Sequence, residues 1–414
     1  MEFALIRPLL KNNAALLVQY GAGAAVPLLL VPHLARSLGL EAFGTLSVLL
    51  AWASYATALV HYAFHLTGPA RAARSPAQLP RLLAAVLQAR CLLLMAALAA
   101  LALAWAVGSI PASTLAASLL ILVLLPLSVA METTWHLQVR DRFAHAAALS
   151  VAGTAMAVWF GFRFVQGPDA ASVSWAAAAL VAGSLTVGAG SFALSALATG
   201  KLPLASRSEV RDVLREGKPL FASQLVAVAY GGSGPIIIAW LAGMEQAGLY
   251  AVLARLVMAL CGVADMMHTA AYPRLAQLYP VDRTTYLRLV NTVVFSYLAV
   301  AASVGVLGWA FREPALEYLY GSGGQQYLGL YCLGLLWLAI GSFGGVVTGY
   351  FAVSRQPERA YRLNLLVMAV SLAIGIPATS LYGAAGWLAG LLAGQGVIAV
   401  CAVRHWKKER QHHG

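Results

Sequence analysis

The sequence predicts an all-α polytopic membrane protein with twelve transmembrane helices. We expect two six-helix bundles that form a pseudo-twofold parallel repeat, with both termini in the cytoplasm. Three observations predict this fold class: the composition, the spacing of apolar runs and the distribution of basic residues. Of the 414 residues, 61% are hydrophobic and 10% are charged, whereas soluble domains are about 45–50% apolar and about 25% charged. This composition excludes a soluble globular enzyme, a disordered chain and a nucleic-acid-binding module.

Twelve apolar runs are each long enough to cross a membrane, which takes roughly 20 mostly apolar residues. They lie near residues 13–35, 43–66, 82–107, 113–135, 144–165, 172–197, 219–242, 247–271, 288–311, 327–352, 360–381 and 384–403. The first run is too long for a cleavable signal peptide and eleven more follow it, so we expect it to be the first transmembrane helix.

The basic residues test this count, because lysine and arginine collect in cytoplasmic loops. With the N-terminus inside, 22 of the 27 Lys and Arg residues fall in inside segments, 3 fall in outside segments and 2 lie within helices. This asymmetry also explains most of the formal net charge of +12. The pattern therefore favours twelve spans with both termini inside.

An internal repeat relates the two halves of the chain at an offset of 204 residues. The identical pairs include Gly39 with Gly243, Glu41 with Glu245, and Gly44 with Gly248. Each half holds six spans, so both halves insert with the same orientation, as in transporters built from parallel repeats. We therefore expect a first bundle over 1–197, a cytoplasmic linker over 198–217, a second bundle over 218–404 and a basic cytoplasmic tail over 405–414.

Interrupted helices at corresponding positions of two halves point to a moving element that lines a site. The first predicted helix contains Pro27 and Pro32, and the seventh contains a glycine-rich stretch that ends in Gly234 and Pro235. These four residues are hinge candidates. The alternative is that Gly and Pro are simply tolerated in membrane helices.

Several short segments resemble Wzx-type oligosaccharide flippases of the polysaccharide transporter family. They are Leu28–Gly39, Phe43–Gly44, Tyr62–Thr67, Trp135, Gln138 and Tyr272–Leu275. The resemblance runs along nearly the whole chain and rests on the order and spacing of these segments. One departure is Ala63-Phe64-His65, where that family often has Gly-Phe-Asn.

The resemblance implies membership of the multidrug/oligosaccharidyl-lipid/polysaccharide exporter superfamily, with two bundles around a cationic cavity. It implies a flippase that moves an undecaprenyl-diphosphate-linked oligosaccharide, as in O-antigen and lipopolysaccharide synthesis, from the cytoplasmic to the periplasmic leaflet by alternating access. The implied location is the bacterial inner membrane, as a multi-pass protein. The implied partners are this cargo and membrane lipids, with a polysaccharide polymerase and chain-length machinery as further candidates.

Ionisable residues within membrane spans are costly and are therefore candidates for function. Arg255 lies deep in the eighth predicted helix, and its repeat counterpart is Ala51. A guanidinium matches the double-oxygen geometry of a phosphate, so Arg255 is our main candidate for cargo binding; a structural helix–helix pair is the alternative. Arg90 lies in the third predicted helix, and its alternative is a buried pair with Glu132.

The remaining cavity candidates are polar residues in other predicted helices. Asp265 could carry a coupling proton or neutralise a neighbouring arginine. His61 and His65 are one helical turn apart near the inner end of the second helix. That spacing can bind a metal, but a third ligand is missing, so a cavity lining is the better interpretation. Gln19 and Gln224 are candidates for glycan contacts.

Two other functional classes remain open. A cation- or proton-coupled multidrug exporter of the same superfamily would need a carboxylate deep in the membrane, and the first and seventh helices have none. A membrane glycosyltransferase or polymerase would need long outer loops with catalytic carboxylates, and the predicted outer loops are short. We therefore expect a non-enzymatic transporter, without a cofactor, a metal or a nucleic-acid partner.

Overall fold

The computed structural model describes residues 2–111, 114–278, 281–353 and 357–411, and these residues are almost entirely helical. Such a structure satisfies backbone hydrogen bonds within each segment, which the bilayer core requires because it offers no water. The chain divides into two compact units, one up to Ile236 and one from Ile237 onward. The all-α fold class predicted from the sequence is confirmed.

The first unit is built from eleven α-helices and the beginning of a twelfth. They are α1 (Glu2–Ala25), α2 (Val31–Leu38), α3 (Leu40–His61), α4 (Phe64–Arg74), α5 (Leu79–Ala106), α6 (Leu115–Leu119), α7 (Leu125–Met131), α8 (Thr134–Val139), α9 (Phe143–Phe164), α10 (Ala170–Thr199), α11 (Arg207–Gly232) and α12 (Gly234–Ala242). Two π-helical segments, Val26–Leu30 and Leu120–Leu124, and a 3-10 turn, Pro76–Gln78, connect some of them.

The second unit continues from α12 with six further α-helices. They are α13 (Met244–Leu278), α14 (Arg283–Ala310), α15 (Arg312–Tyr320), α16 (Leu328–Val353), α17 (Pro357–Tyr382) and α18 (Ala384–Gln411). A 3-10 turn, Gly324–Tyr327, precedes α16.

Each of the twelve predicted spans coincides with helical structure. Within the described residues, ten helical segments are long and apolar enough to cross a membrane. The other two predicted spans are also helical: 219–242 falls on α11 and α12, and 327–352 falls on α16. Large apolar side chains on the helix surfaces are exposed, including Leu92, Met95, Leu103, Phe295 and Val306. In a membrane these side chains contact lipid, so their exposure fits the predicted spans.

Regular α-helix is interrupted at both pairs of hinge candidates. Pro27 lies in the π-helical segment between α1 and α2, and Pro32 lies in the first turn of α2. Gly234 and Pro235 begin α12, directly after the break at Ser233. Proline removes a backbone donor and crowds the preceding turn, which accounts for interruptions at these positions.

The repeat that the sequence suggests is visible in local backbone geometry. Gly39 connects α2 to α3 and Gly243 connects α12 to α13, with φ of 80° and 93°. Each glycine N–H donates to the carbonyl four residues before it, and each glycine carbonyl accepts from the N–H four residues after it. Glycine is favoured at both positions because side chains disfavour positive φ. Glu41 and Glu245 both lie in the first turn of the following helix, where a negative charge is favourable.

Close helix packing in each unit depends on glycine. In the first unit, a Cβ on Gly153 of α9 would lie 2.6 Å from the carbonyl oxygen of Gly183 on α10. In the second unit, a Cβ on Gly390 of α18 would lie 2.6 Å from the backbone nitrogen of Gly375 on α17. Small residues allow helix backbones to approach in this way.

Helix α11 begins within the predicted linker 198–217 and is attached to α4 of the first unit. Its N-cap is a capping box, in which Ser206 and Glu209 each accept a hydrogen bond from the other's backbone N–H. The backbone N–H and the hydroxyl of Ser206 both donate to the Glu209 carboxylate, which lowers the pKa of Glu209 below its usual value. Glu216 of α11 also pairs with Arg71 at 3.6 Å and Arg74 at 3.1 Å on α4.

Candidate functional site

The second predicted span is broken near its C-terminal end. Helix α3 ends at His61 and α4 begins at Phe64, and the two residues between them adopt left-handed φ angles of 43° at Tyr62 and 58° at Ala63. This conformation costs an L-residue roughly 1–2 kcal/mol, so neighbouring contacts must stabilise it. The ring of Tyr62 stacks on Phe221 of α11 with centroids 4.5 Å apart, and Ala63 and Phe64 are fully buried.

The fourth predicted span is broken at a neighbouring level. Helix α7 ends at Met131, Glu132 is extended, and α8 begins at Thr134. Thr133 at this break is bonded to two serine side chains of α10, one of which satisfies its backbone N–H. The N–H of Thr133 donates to Ser191 Oγ at 2.9 Å, and the Thr133 hydroxyl donates to Ser195 Oγ at 2.9 Å. Such replacement bonds are what allow a membrane helix to break.

Four ionisable side chains meet between these two breaks, and we call them the charged cluster: His61, His65, Arg90 and Glu132. Arg90 of α5 has 0% exposure. Its Nη1 donates to the backbone carbonyl of Glu132, its Nη2 lies 3.8 Å from Glu132 Oε2, and its guanidinium lies 5.8 Å from the Phe64 ring centroid. The structure therefore contains the buried Arg90–Glu132 pair, which the sequence offers as the alternative role for Arg90.

The histidines extend the pair into a chain of contacts. His61 Nε2 lies 3.5 Å from Glu132 Oε2, and His61 Nδ1 lies 3.1 Å from His65 Nδ1. The other carboxylate oxygen of Glu132 accepts hydrogen bonds from the N–H and hydroxyl of Thr134. Both histidines are partly exposed, whereas Arg90 is enclosed. Solvent or a ligand can therefore reach one end of the chain but not the other.

The depth of the cluster makes it costly to maintain. At 1.5 Å per residue, Arg90 lies about 16 Å from the start of α5, about half of the ~30 Å hydrocarbon core. With neutral histidines, the charges of Arg90 and Glu132 cancel. An ionisable group at this depth costs at least about 2.5 kcal/mol and is a functional candidate.

The second unit holds the other ionisable candidates, both on α13. Arg255 also lies about 16 Å from the start of its helix at 1.5 Å per residue. Its side chain is partly exposed, while Leu253, Ala254 and Val257 around it are buried. The side chain of Asp265 lies outside the described part of the structure. Arg255 therefore combines a position deep in its helix with partial exposure of the residue.

The two glutamine candidates are not part of the charged cluster. Gln19 lies on α1 and Gln224 on α11, and both side chains are partly exposed. Sequence reasoning did not identify Phe64 and Thr134 as members of the site. The sequence signals for this region are Arg90, with Glu132 as its alternative partner, and the pair His61 and His65.

Comparisons with known proteins agree with this architecture. Residues 9–279 match the model of the family described as polysaccharide biosynthesis protein. A structure of the lipid II flippase MurJ in an inward closed conformation has a TM-score of 0.70 at 12% identity, over 96% of this chain and 87% of that chain. No curated protein sequence matches the chain.

Multidrug transporters have the same fold. An inward-facing transporter of the MATE family has a TM-score of 0.68 at 13% identity, over 94% of each chain. A transporter of the MOP superfamily from Pyrococcus furiosus has a TM-score of 0.51 at 15% identity, over 98% of this chain and 95% of that chain. The family match spans more than half of the sequence, and the fold is that of these transporters. The chain therefore belongs to the polysaccharide biosynthesis protein family, as a multi-pass membrane protein with the fold of the MOP superfamily.

Proposed function

We propose that this protein is a flippase that moves an undecaprenyl-diphosphate-linked oligosaccharide from the cytoplasmic to the periplasmic leaflet by alternating access. The observation that carries the proposal is the match of residues 9–279 to the polysaccharide biosynthesis family. A lipid-linked glycan made inside the cell cannot carry its polar head through hydrocarbon unaided. A membrane transporter in such a pathway therefore has a natural substrate, and the fold similarity to a lipid II flippase supports this choice.

Arg255 is the residue we assign to the diphosphate. The planar fork of its guanidinium can donate two parallel hydrogen bonds to phosphate oxygens, which a lysine ammonium cannot do with the same geometry. The residue is partly exposed and lies deep in α13, which supports its assignment to an anionic cargo. A cationic group deep in a span favours an anionic cargo over a cationic drug.

Arg90 has a different part in the proposal. In the structure it is fully enclosed and bonded to Glu132. We therefore expect Arg90 to be available to the cargo only after its contact with the Glu132 carboxylate has broken. His61, His65 and the glutamines Gln19 and Gln224 are the candidates for contacts with the glycan.

The interrupted helices supply the flexibility that alternating access needs. Pro27 and Pro32 in the first unit and Gly234 and Pro235 at the start of α12 lie where α-helix is interrupted. Hinges of this kind absorb large backbone changes over a few residues. We place the protein in the bacterial inner membrane, with a polysaccharide polymerase and chain-length machinery as candidate partners.

Substitution of Arg255 tests the proposal in cells that need the protein for surface glycan. We expect Arg255→Ala to reduce glycan export about tenfold or more, because a hydrogen bond to a charged group contributes about 1.5–3 kcal/mol. Arg255→Lys keeps the charge but loses the fork, so it should retain part of the activity. The measurement is surface-glycan complementation at equal protein level.

The matched control is Arg211→Ala, which removes an exposed arginine from α11 and should leave export unchanged. Parental export by Arg255→Ala would show that this residue does not engage the cargo. The fold is shared with multidrug transporters, so efflux of cationic dyes is measured in parallel. Dye efflux without glycan export would favour the multidrug exporter.

A further inference from the structure

We propose that the charged cluster is a proton relay: a proton taken up at His65 passes through His61 to Glu132 and thereby releases Arg90 for the anionic cargo. The proposal rests on the proposed function in one respect, since it assigns the released arginine to that cargo. The relay itself rests on the contacts within the first unit.

The contact between the two histidines fixes where protons can lie. The Nδ1 atoms are 3.1 Å apart, so one must carry hydrogen and the other must present its lone pair. His61 Nε2 lies 3.5 Å from Glu132 Oε2, which favours hydrogen on that nitrogen. His61 Nδ1 is then the acceptor and His65 Nδ1 the donor, which leaves a lone pair on His65 Nε2.

This arrangement can pass one proton without leaving a charge behind on a histidine. A proton binds the lone pair on His65 Nε2, and the hydrogen on His65 Nδ1 moves to His61 Nδ1. The hydrogen on His61 Nε2 then moves to Glu132 Oε2. At the end both histidines are neutral in their other tautomers, and Glu132 is a neutral carboxylic acid.

Protonation of Glu132 changes the environment of Arg90 most. Arg90 has 0% exposure, and Glu132 is the acidic side chain paired with it. A neutral Glu132 leaves this guanidinium without a counter-charge in an apolar site, which is strongly unfavourable. A diphosphate can supply that counter-charge, so Glu132 and the cargo compete for Arg90 and the proton decides between them.

The residues of the relay lie at the two helix breaks, so a change in their contacts can move the helices. His61 ends α3, His65 lies in the first turn of α4, and Glu132 separates α7 from α8. The contacts among these residues therefore bridge both breaks. When the contact between Arg90 and Glu132 breaks, α4 and α8 are no longer both connected to α5 through Arg90.

Several other ionisable groups on the surrounding helices make contacts outside the charged cluster. His136 of α8 contacts the Thr199 hydroxyl at 3.5 Å, and Arg140 donates to the Ala198 carbonyl at 2.7 Å. Glu216 of α11 pairs with Arg71 and Arg74, and His33 of α2 contacts the Gly161 carbonyl. Among the described residues, these groups therefore have partners other than the members of the charged cluster.

Purified protein in vesicles with a lipid-linked oligosaccharide tests the coupling. Since protonation frees Arg90 for the cargo, proton and cargo move in the same direction. One proton per cycle and a difference of about one pH unit then support about a tenfold excess of the lipid in the leaflet that faces the more alkaline side. We expect the parent to reach this ratio, and His65→Gln and His61→Gln to equilibrate the lipid without accumulating it. His145→Gln, an exposed histidine on α9, is the matched control and should behave as the parent.

The outcomes separate the two proposals. A parent that equilibrates the lipid but never accumulates it under a pH difference would overturn the relay and leave the flippase intact. Accumulation that survives in both histidine variants would also overturn it. A parent that moves no such lipid would count against the proposed function, and the relay is then decided by a second measurement.

That second measurement is nitrogen-15 NMR of the histidines in detergent, with signals assigned from the single variants. A relay requires the two imidazoles to share one proton, so His65→Gln should change the titration of His61 and the reverse should hold. Independent titration of the two histidines would contradict the relay, whatever the transport assay shows.

Discussion

The enclosed guanidinium of Arg90, paired with Glu132, connects several helix ends. Arg90 reaches the backbone carbonyl and the carboxylate of Glu132 and also lies against the ring of Phe64. Glu132 in turn accepts from Thr134 and lies beside His61. Both helix breaks therefore depend on the same pair of charges.

Removal of one member of this pair should be much more damaging than removal of both. We expect Glu132→Leu to lower the free energy of unfolding by about 3–5 kcal/mol, because it leaves a buried guanidinium without its counter-charge. The double variant Arg90→Met with Glu132→Leu removes both charges and should recover most of that loss. The measurement is thermal unfolding of the purified protein in detergent. Glu313→Gln, an exposed carboxylate with 70% side-chain exposure, is the control. Equal stability of the single and double variants would refute this explanation.

The sequence indicated most of the charges of the cluster but not the way they meet. Arg90, Glu132, His61 and His65 stand out as ionisable residues in apolar runs. The left-handed residues Tyr62 and Ala63 carry no such signal, since neither is glycine or proline. Their conformation is imposed by tertiary contacts, such as the stacking of Tyr62 on Phe221.

Helices α9 and α10 illustrate how packing decides where glycine is needed. The carbonyl oxygen of each of Gly153 and Gly183 lies 2.6–2.7 Å from the position that a Cβ would take on the other. Backbone atoms cannot give way as a flexible side chain can, so any side chain here separates the two helices.

Alanine at this crossing should destabilise the first unit. We expect Gly153→Ala to lower stability by about 1–3 kcal/mol, the usual effect of overpacking. Gly305→Ala on α14 is the matched control, because a Cβ there meets nothing within 4 Å, and alanine favours helix by up to about 1 kcal/mol. Thermal unfolding in detergent compares the two. A stable Gly153→Ala protein would mean that the helices can move apart without cost.

The interruptions within the predicted spans were only partly foreseeable from the sequence. Pro27 and Gly234 indicated the breaks near the ends of α1 and α11, because these residue types disturb helix locally. The break at Glu132 has no comparable local cause. It follows from bonds that Thr133 makes to Ser191 and Ser195 on α10, which lie about 60 residues further along the chain.

The two halves of the chain share a local pattern that the sequence already contained. The matched glycines Gly39 and Gly243 make the same connection between helices, each with positive φ. The basic residues then predict the orientation of the whole chain, because 22 of 27 fall in segments that the twelve-span topology places on the same side.

Reporter fusions test this orientation. We expect a fluorescent protein fused after residue 411 to fold in the cytoplasm, and alkaline phosphatase inserted within residues 312–326 to be active in the periplasm. A control insertion of alkaline phosphatase within the segment 201–206 should be inactive. Activity of both insertions would contradict the predicted topology of twelve spans.

The most direct test uses vesicles that contain the purified protein and an undecaprenyl-diphosphate-linked oligosaccharide at equal pH on both sides. The measurement is the fraction of labelled lipid that becomes accessible on the opposite leaflet with time. We predict translocation by the parent and a rate about tenfold lower for Arg255→Ala. No translocation of the lipid by the parent, together with efflux of cationic dyes from the same vesicles, would contradict the flippase.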